Sequence, residues 1–291
     1  MLLGALECGR TKMVCAVGEE SGRIIEQTVI PTETPEITMP RIIDFFGRFS
    51  ICAMGIACFG PLDLNRQSPT FGYITNTPKE DWRGFDILGY VQRELKVPCE
   101  IDTNVNGACL GEVTYGCMKG IRSGVYLTVG AGVGLGIYVN GLLVHGMLHP
   151  EGGHVLVRRH KDDIYEGHCP YHHDCLEGLV SEAAIAARAG VRVGQLPKDA
   201  HDWELVSYYI AQALVDYILI LSPEKIVLGG DVMKQTQLFP MIRSKVSELL
   251  DGYVCTAQIK DIDNYIVPES LGGRQAVMGC MKLAYDAACL S

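Results

Sequence analysis

Two glycine-containing β-hairpins constrain the fold of this chain more than any other sequence feature. The first reads strand, turn and strand over residues 2–19, as "LLGALE", "CGRTK" and "MVCAVGE". The second, "GVYLTVGAGVGLGIYV" at residues 124–139, repeats the order of apolar run, glycines and apolar run. Such runs joined by glycine-rich turns are typical of hairpins. The repetition predicts two similar domains, an N-terminal one at residues 1–115 and a C-terminal one at 116–291.

Helix and strand patterns alternate through the rest of the chain. Apolar residues recur at helical spacing in "PEITMPRIIDFFGRF" and "DILGYVQRELKV", and "ICAMGIACFG" between them has the pattern of a short strand. A long helical pattern, "DWELVSYYIAQALVDYILILSP", ends before Pro223 and precedes the strand "KIVLGG". The strand runs into glycines, where open α/β sheets place their ligands. A last helix, "QAVMGCMKLAYDAAC", is expected to pack back on the N-terminal domain, and the whole pattern predicts an α/β fold.

Composition excludes several classes of function. The formal net charge of the 291 residues is -9, and no basic run offsets it, which argues against nucleic-acid and membrane-surface partners. No apolar run reaches the roughly 18 residues that span a bilayer, and "MLLGALECGR" lacks the features of a signal peptide. Most of the 12 cysteines are scattered singly through apolar stretches, as reduced buried thiols are. We therefore expect a cytoplasmic protein.

The hairpin turns and the glycines after "KIVL" are candidate phosphate-binding loops. Glycine has no Cβ, so backbone N–H groups there can approach phosphate oxygens closely. Tight turns alone are the competing explanation for each glycine-rich segment. Because the chain has three of them, the sequence favours a nucleotide site.

A mixed set of histidines and cysteines is concentrated in "HVLVRRHKDDIYEGHCPYHHDC", residues 154–175. His154, Cys169, His172 and Cys175 have the short spacings of a zinc site, and four protein ligands would make the ion structural. A reduced loop with surface histidines is the alternative. His168 and His173 are further candidates for the fourth ligand.

These motifs together resemble the ROK family of sugar kinases, and most closely its zinc-containing bacterial fructokinase branch. The similar segments are "ECGRTK" and "TVGAGVGLGIYVNG" as phosphate loops, "ACFGPLDLN" and "GYITNTPKEDW" near the sugar, and "HPEGGH" with "CPYHHDCLEG" as the sugar and zinc signature. The resemblance covers essentially the whole chain. It implies two ribonuclease-H-like domains, as in actin-like ATPases and sugar kinases, with hexose and ATP meeting in a cleft. It also implies a homodimer; no helix-turn-helix segment precedes residue 1, so a DNA-binding repressor is not expected.

The resemblance also implies roles for particular residues. Sugar hydroxyls would be contacted by Glu151, His154 and Glu177, with His154 also a zinc ligand, and Asn106 would help to position the sugar. For Glu177 a solvated charge at a helix start is an equally good interpretation. The hexose is expected to be fructose. The implied nucleotide-binding residues are Glu7, Gly9, Arg10, Thr11, Lys12, Gly130, Ala131, Gly132, Gly229, Gly230 and Asp231.

Several positions depart from the family pattern. Asn104 stands where the family has the aspartate that takes the proton from the attacking hydroxyl, and an amide can orient a hydroxyl but cannot deprotonate it. On the nucleotide side, Arg10 replaces a glycine, Ala131 a threonine and Asp231 a glycine. "GGRQA" stands in place of a small turn beside the adenine, so Arg274 adds bulk, and "LVSEAA" replaces a Ser-Gly-Pro segment.

These departures lead to three expectations about function. The first is a hexose-binding protein whose ATP-dependent phosphotransfer is impaired or lost, a pseudokinase acting as a sugar sensor or regulatory subunit, with binding of ATP and Mg²⁺ in doubt. The second is an active ATP-dependent fructokinase that makes fructose 6-phosphate by positioning and electrostatics without the base. The third is a repurposed sugar or sugar-phosphate enzyme that reuses the carboxylates of the pocket. An intermediate possibility is that Arg10 and Arg274 receive another anion, such as a sugar phosphate.

Overall fold

A computed structural model of the chain describes residues 1–290. Its strands are β1 Leu2–Cys8, β2 Lys12–Glu19, β3 Ile24–Pro31, β4 Ala53–Cys58, β5 Cys99–Thr103, β6 Gly124–Val129, β7 Val133–Val139, β8 Leu142–Leu143, β9 Lys225–Gly229 and β10 Ile266–Pro268. Its helices are α1 Pro35–Phe46, α2 Ile87–Leu95, α3 Asn104–Tyr115, α4 Leu176–Val180, α5 Glu182–Ala189, α6 Asp202–Leu221, α7 Leu238–Leu250, α8 Ala257–Lys260, α9 Ile262–Tyr265 and α10 Gln275–Leu290.

The strands form two five-stranded sheets of matching order. The first runs β3-β2-β1-β4-β5 and the second β10-β9-β6-β7-β8. In each, a hairpin pairs antiparallel and the next strand lies parallel to the first strand of that hairpin, β4 against β1 and β9 against β6. The predicted α/β class with two similar halves is confirmed.

The chain divides into two compact units, each containing one of these sheets. Unit 1 comprises residues 1–120, 143–150 and 270–291, and unit 2 comprises residues 121–142 and 151–269. The segment 143–150, which follows the second hairpin, and the C-terminal helix α10 therefore belong to unit 1. This division brings residues from three stretches of sequence into the first unit.

Within unit 1, the helices α3 and α10 pack closely because glycines lie at their contact. A Cβ on Gly279 of α10 would lie 1.8 Å from the Gly107 carbonyl oxygen of α3, and one on Gly111 would lie 2.0 Å from the Gln275 carbonyl oxygen. No larger side chain fits such a contact. The rigid pairing fixes α3, whose first residue is Asn104.

Within unit 2, α6 is the central core helix. It is long and apolar enough to cross a membrane by length and composition, yet residues such as Trp203, Tyr209 and Leu214 are fully buried in the fold. A buried helix of a folded domain passes the same test, so its hydrophobicity is explained by packing.

Candidate functional site

The N-terminus of α3 carries the residue expected at the centre of the chemistry. Asn104 is its first residue and is half-buried. Thr103 caps the helix, because its hydroxyl accepts the backbone N–H of Asn106 at 3.1 Å. The free N–H groups and the helix dipole make such a terminus favourable for negative charge. The sequence thus places a hydroxyl-orienting amide where an anionic group is stabilised.

Asp102, two residues before Asn104, is a carboxylate held by three donors. Its Oδ1 accepts the backbone N–H of Thr103 and the side-chain amide of Asn106, both at 2.7 Å, and its Oδ2 lies 2.8 Å from His145 Nε2. The residue is 3% exposed. Both oxygens are occupied, so Asp102 is not arranged to accept a substrate proton. Asn106 is fully buried and tied to this carboxylate, so any effect on a sugar is indirect.

Two histidines of the segment 143–150 have pKa values that are shifted in opposite directions. The hydrogen bond to Asp102 is the largest influence on His145 and raises its pKa above the ordinary value, although partial burial opposes it. His149 is buried, which lowers its pKa, and its Nε2 accepts the Leu62 N–H at 3.3 Å. Sequence reasoning missed Asp102, His145 and His149, because nothing in the local pattern links residue 102 to residue 145.

In unit 2 the two predicted sugar-binding glutamates influence each other. Glu177 lies in the first turn of α4, and its Oε2 accepts the Val133 N–H at 2.9 Å. Desolvation, and then the Glu177 carboxylate, raise the pKa of Glu151 to about 6. A carboxylate bound to a backbone amide is more than a solvated charge at a helix start. Both side chains offer the acceptor oxygens that a polyol needs.

Four side chains of unit 2 form a cluster that could hold a metal ion. The ligand atoms of His154, Cys169, His172 and Cys175 all lie within 4.8 Å of one another. The Nδ1 atom of His154 lies 3.7 Å from the sulfur of Cys169 and 3.5 Å from that of Cys175. A tetrahedral zinc with bonds of about 2.3 Å to sulfur and about 2.0–2.1 Å to nitrogen separates such atoms by about 3.6 Å. The donor set therefore fits this metal in type and spacing.

The local backbone explains why these four residues meet. Cys169 and His173 exchange backbone hydrogen bonds of 3.2 and 3.0 Å, which closes a tight turn around His172. Cys175 is the residue that precedes α4 and is fully buried. Burial raises the pKa of its thiol to about 11, with a further contribution from Cys169. Binding of a cation would oppose this effect, because the thiolate is the form that coordinates metal.

The two further histidine candidates lie outside this cluster. His168 is exposed, with its Nδ1 3.4 Å from the Tyr165 hydroxyl oxygen. His173 is exposed and has a positive φ of 55°, so its contribution to the turn is made by its backbone. Among the described residues, the cluster is formed by the four side chains predicted first.

The two predicted phosphate loops of unit 2 adjoin each other. β6 and β9 are parallel neighbours, and Thr128 pairs with Gly229 at their carboxyl ends. Gly230 has a φ of 91°, and a Cβ there would lie 2.4 Å from the Val129 carbonyl oxygen, so glycine is required. Gly130, Ala131 and Gly132 form the adjoining turn, closed by a 2.9 Å bond from the Gly130 N–H to the Gly132 oxygen. Ligands of α/β folds bind at such strand ends.

The first hairpin presents its turn on the surface of unit 1. The Gly9 N–H donates to the Lys12 oxygen at 2.9 Å, and Arg10, Thr11 and Lys12 are exposed. Burial raises the pKa of Glu7, just before the turn, to about 7, and Lys12 opposes the shift. Two cations and a tight backbone turn are the groups that an anionic phosphate would meet here.

Four of the departures from the family pattern on the nucleotide side fall on exposed positions. Arg10, Ala131, Asp231 and Arg274 are all exposed. Asp231 forms an ion pair with Lys234 at 2.5 Å, and the two side chains are 67% and 74% exposed. Solvent and this partner both weaken repulsion between Asp231 and an anionic ligand.

Comparison with known proteins identifies the class and then the family. The fold is that of sugar kinases: a ROK family glucokinase from Streptomyces griseus, solved with glucose and AMPPNP, superposes with a TM-score of 0.75 at 20% identity, covering 98% of this chain and 100% of that one. The chain matches the ROK family over residues 3–287 and belongs to that family.

Two curated relatives are similar over nearly their full length. A Bacillus subtilis (strain 168) protein named "Putative fructokinase" is 47% identical over 287 residues, covering 98% of this chain and 96% of the relative. The fructokinase of Pediococcus pentosaceus is 41% identical over 287 residues, covering 99% of both. The predicted resemblance to ROK sugar kinases with fructokinase relatives is confirmed.

The expectation that phosphotransfer is impaired or lost is wrong. Five relatives that are 37–47% identical over 287–295 residues carry fructokinase in their names. The description as a pseudokinase, and the doubt about ATP and Mg²⁺, lack support for the same reason. The physical error was to treat each altered loop residue as an obstacle, whereas Arg10, Ala131 and Asp231 are exposed and Asp231 is paired with Lys234.

Proposed function

We propose that this protein is an ATP-dependent fructokinase that converts D-fructose to fructose 6-phosphate. The observation that carries the proposal is the near full-length similarity to relatives named fructokinase, at up to 47% identity. The α3 N-terminus with Asn104 and the adjoining glycine turns of unit 2 supply the local chemistry that such a reaction needs. Fructose is proposed as the sugar because these relatives are named fructokinase.

The glycine turns and the cations of the first hairpin are the proposed nucleotide contacts. The glycines of the turns Gly130–Gly132 and Gly229–Asp231 carry no Cβ, so the backbone can approach phosphate oxygens closely there, and Arg10 and Lys12 offer positive charge. The Streptomyces griseus glucokinase was solved with the ATP analogue AMPPNP, which supports ATP as the phosphoryl donor. Mg²⁺ bound with ATP would neutralise charge on the transferred phosphoryl group.

Asn104 orients the attacking hydroxyl in this proposal. Phosphoryl transfer passes through a loose transition state, so positioning and electrostatic stabilisation dominate its catalysis. The half-buried amide at the start of α3 can hold a hydroxyl, and the helix terminus favours the negative charge that develops there. As the new O–P bond forms and the bond to ADP breaks, the hydroxyl proton passes late to a phosphoryl oxygen or to solvent, so no carboxylate is required at position 104.

Glu151, His154 and Glu177 are the proposed sugar contacts of unit 2. The carboxylates accept hydrogen bonds from hydroxyl groups, and Glu177 is held in place by the Val133 N–H. The raised pKa of Glu151, about 6, supports a place at a ligand site, because desolvation is the largest cause of the shift. Asn106 contributes through the first turn of α3.

The His/Cys cluster is proposed to hold one structural zinc ion. Four protein ligands leave no open position for substrate, and the separations of 3.5–3.7 Å among these sulfur and nitrogen atoms suit tetrahedral coordination. Bound there, zinc would fix His154 and the turn before α4, and so stabilise the region that carries Glu151 and Glu177.

A reducing cytoplasm and a homodimeric assembly remain predictions. Most of the 12 cysteines are scattered singly through apolar stretches of the sequence, which supports the reducing compartment. Size-exclusion chromatography with light scattering measures the assembly directly.

Coupled assays test the proposal. Purified protein with ATP and Mg²⁺ is assayed against fructose, glucose and mannose, and the product is identified by mass spectrometry and NMR. Fructose-dependent ADP release with formation of fructose 6-phosphate is expected. If ADP is released with glucose or mannose but not with fructose, that hexose replaces fructose as the proposed substrate. Phosphorylation of a sugar phosphate would favour the repurposed enzyme.

A further inference from the structure

The start of α3 is tied to a distant segment of unit 1 by one ion pair. Asp102 Oδ2 lies 2.8 Å from His145 Nε2, and the two side chains are 4% and 37% exposed. Because a carboxylate can only accept, the imidazole N–H is the donor. The contact joins β5 and α3 to the segment 143–150.

The same carboxylate organises the whole first turn of α3. Its Oδ1 accepts the Thr103 backbone N–H and the Asn106 side-chain N–H at 2.7 Å each, and the Thr103 hydroxyl accepts the Asn106 backbone N–H at 3.1 Å. Asn104 lies between the two residues that Asp102 holds. The position of Asp102 therefore bears on the backbone at Asn104, the residue that would face the sugar hydroxyl.

We propose that the Asp102–His145 ion pair is a positioning device that holds Asn104 in the orientation needed for phosphoryl transfer. This inference rests on the proposed function. Asp102 and His145 do not touch the reacting atoms; they act through the first turn of α3. Misplacement of a reacting group by about 1 Å can lower a rate by about 10²-fold, so a small disorder of this turn has a measurable effect.

Charge makes the device sensitive to pH. A buried carboxylate is stable when its cationic partner is charged and is destabilised when that partner loses its proton. The hydrogen bond to Asp102 is the largest influence on the pKa of His145 and raises it, and a hydrogen bond with the Leu143 backbone also raises it. Partial burial of the imidazole and the charge of Arg66 lower it. His149, on the same segment, also interacts electrostatically with His145, and burial lowers its own pKa.

The direction in which pH affects the Asp102–His145 contact follows from the raised pKa of His145. The pKa of His145 in the folded protein is raised above its ordinary value, so the stabilisation is fully present below about pH 6.5 and is lost as pH rises through the raised pKa. Positioning of Asn104 is therefore expected to weaken on the alkaline side of neutrality.

The test compares pH profiles of kcat for fructose in the wild type and in His145→Gln. Glutamine retains a donor for Asp102 but carries no titrating charge. The variant is expected to lose about 3–10-fold in kcat at pH 6.5, within the range of a small misplacement, and to lack the alkaline decline assigned to His145. Glu7 and Glu151 titrate in both proteins. The difference between the two pH profiles of kcat therefore reports the titration of His145.

His201→Gln is the matched control. His201 also lies beside a carboxylate, 2.9 Å from Glu204, but both side chains are at least 60% exposed. Its profile is expected to match the wild type. Asp102→Asn should lower kcat at every pH, and the NMR-measured pKa of His145 should fall towards its ordinary value.

Two outcomes would overturn the proposal. One is a His145→Gln profile that superposes on the wild type; the other is a His145 pKa that does not change in folded Asp102→Asn. Absence of fructose phosphorylation by the wild type at all pH values would refute the proposed function and, with it, this catalytic role. The NMR titration would still show whether the ion pair exists.

Discussion

Two polar clusters of this protein are built on opposite principles. In unit 1, Asp102 accepts hydrogen bonds from three donors of the protein itself, among them the imidazole of His145. In unit 2, two thiols and two imidazoles converge within 4.8 Å, where a metal would be the natural common partner. The first cluster therefore aligns a helix start without a cofactor, whereas the second needs an ion to become rigid.

Because of this difference, we expect the metal cluster to affect mainly stability and the Asp102 cluster to affect mainly catalysis. Removing a ligand from the metal cluster should loosen the loop that carries it, because binding energy of a structural metal contributes to folding. Disturbing the Asp102 cluster should mainly misplace Asn104, because α3 is held independently by its close packing with α10. Substitutions in the two regions should therefore affect different observables.

The largest effect is expected from Cys175→Ser. Loss of this buried ligand should reduce bound zinc from about one ion per chain to none, and lower the free energy of unfolding by about 3 kcal/mol or more, by analogy with loss of a buried network. Metal content by mass spectrometry and thermal unfolding measure both. Cys255→Ser, at an exposed cysteine of the same unit, is the control and should change neither. Wild-type protein without metal would contradict the zinc assignment.

Asn104→Ala should act on catalysis alone. Without the amide the hydroxyl is poorly oriented, and kcat is expected to fall about 10²-fold, while the melting temperature changes little because the side chain is only half-buried. Asn104→Asp is the matched variant, and it should keep at least wild-type activity because a carboxylate can also orient the hydroxyl. Equal kcat values for Asn104→Ala and the wild type would show that Asn104 does not orient the attacking hydroxyl.

Glu151→Gln tests whether the carboxylates of unit 2 bind the sugar. Affinity for fructose is expected to weaken by about 1–3 kcal/mol, the usual effect of leaving buried hydrogen-bond partners badly matched. Isothermal titration measures it, with zinc content expected to stay unchanged. Unaltered fructose affinity would show that Glu151 lies outside the sugar site.

The smallest effect is expected from Asp231→Ala. This carboxylate is 67% exposed and paired with Lys234, and exposed ion pairs contribute only about 0–1 kcal/mol. The KM for ATP should therefore change by less than about 3-fold, on the same energy scale. A tenfold improvement would indicate that repulsion from Asp231 does oppose the nucleotide.

Sequence information was richest where the chemistry is local in the chain. The metal cluster was predictable because Cys169, His172 and Cys175 lie within one turn-rich segment, with His154 shortly before it. The two sheets were predictable because each hairpin carries alternating apolar residues and glycines. The helical and strand periodicity of the sequence likewise predicted α6 and β9.

The Asp102 cluster could not be predicted in this way. Asp102 and His145 are far apart in sequence, and they meet only because the segment 143–150 belongs to unit 1. The pairing of Asp231 with Lys234 was also missed, because the exposure that weakens its repulsion depends on the folded loop. Reading each departure as a separate loss led to the wrong expectation about activity.

The central claim, that this chain phosphorylates fructose, is tested most directly by steady-state kinetics of the unmodified protein with ATP, Mg²⁺ and fructose. A kcat of about 1–100 s⁻¹, the range usual for kinases, with fructose 6-phosphate as the product, is the predicted result. Protein that is folded and carries zinc, yet releases no ADP in response to fructose, would contradict the account.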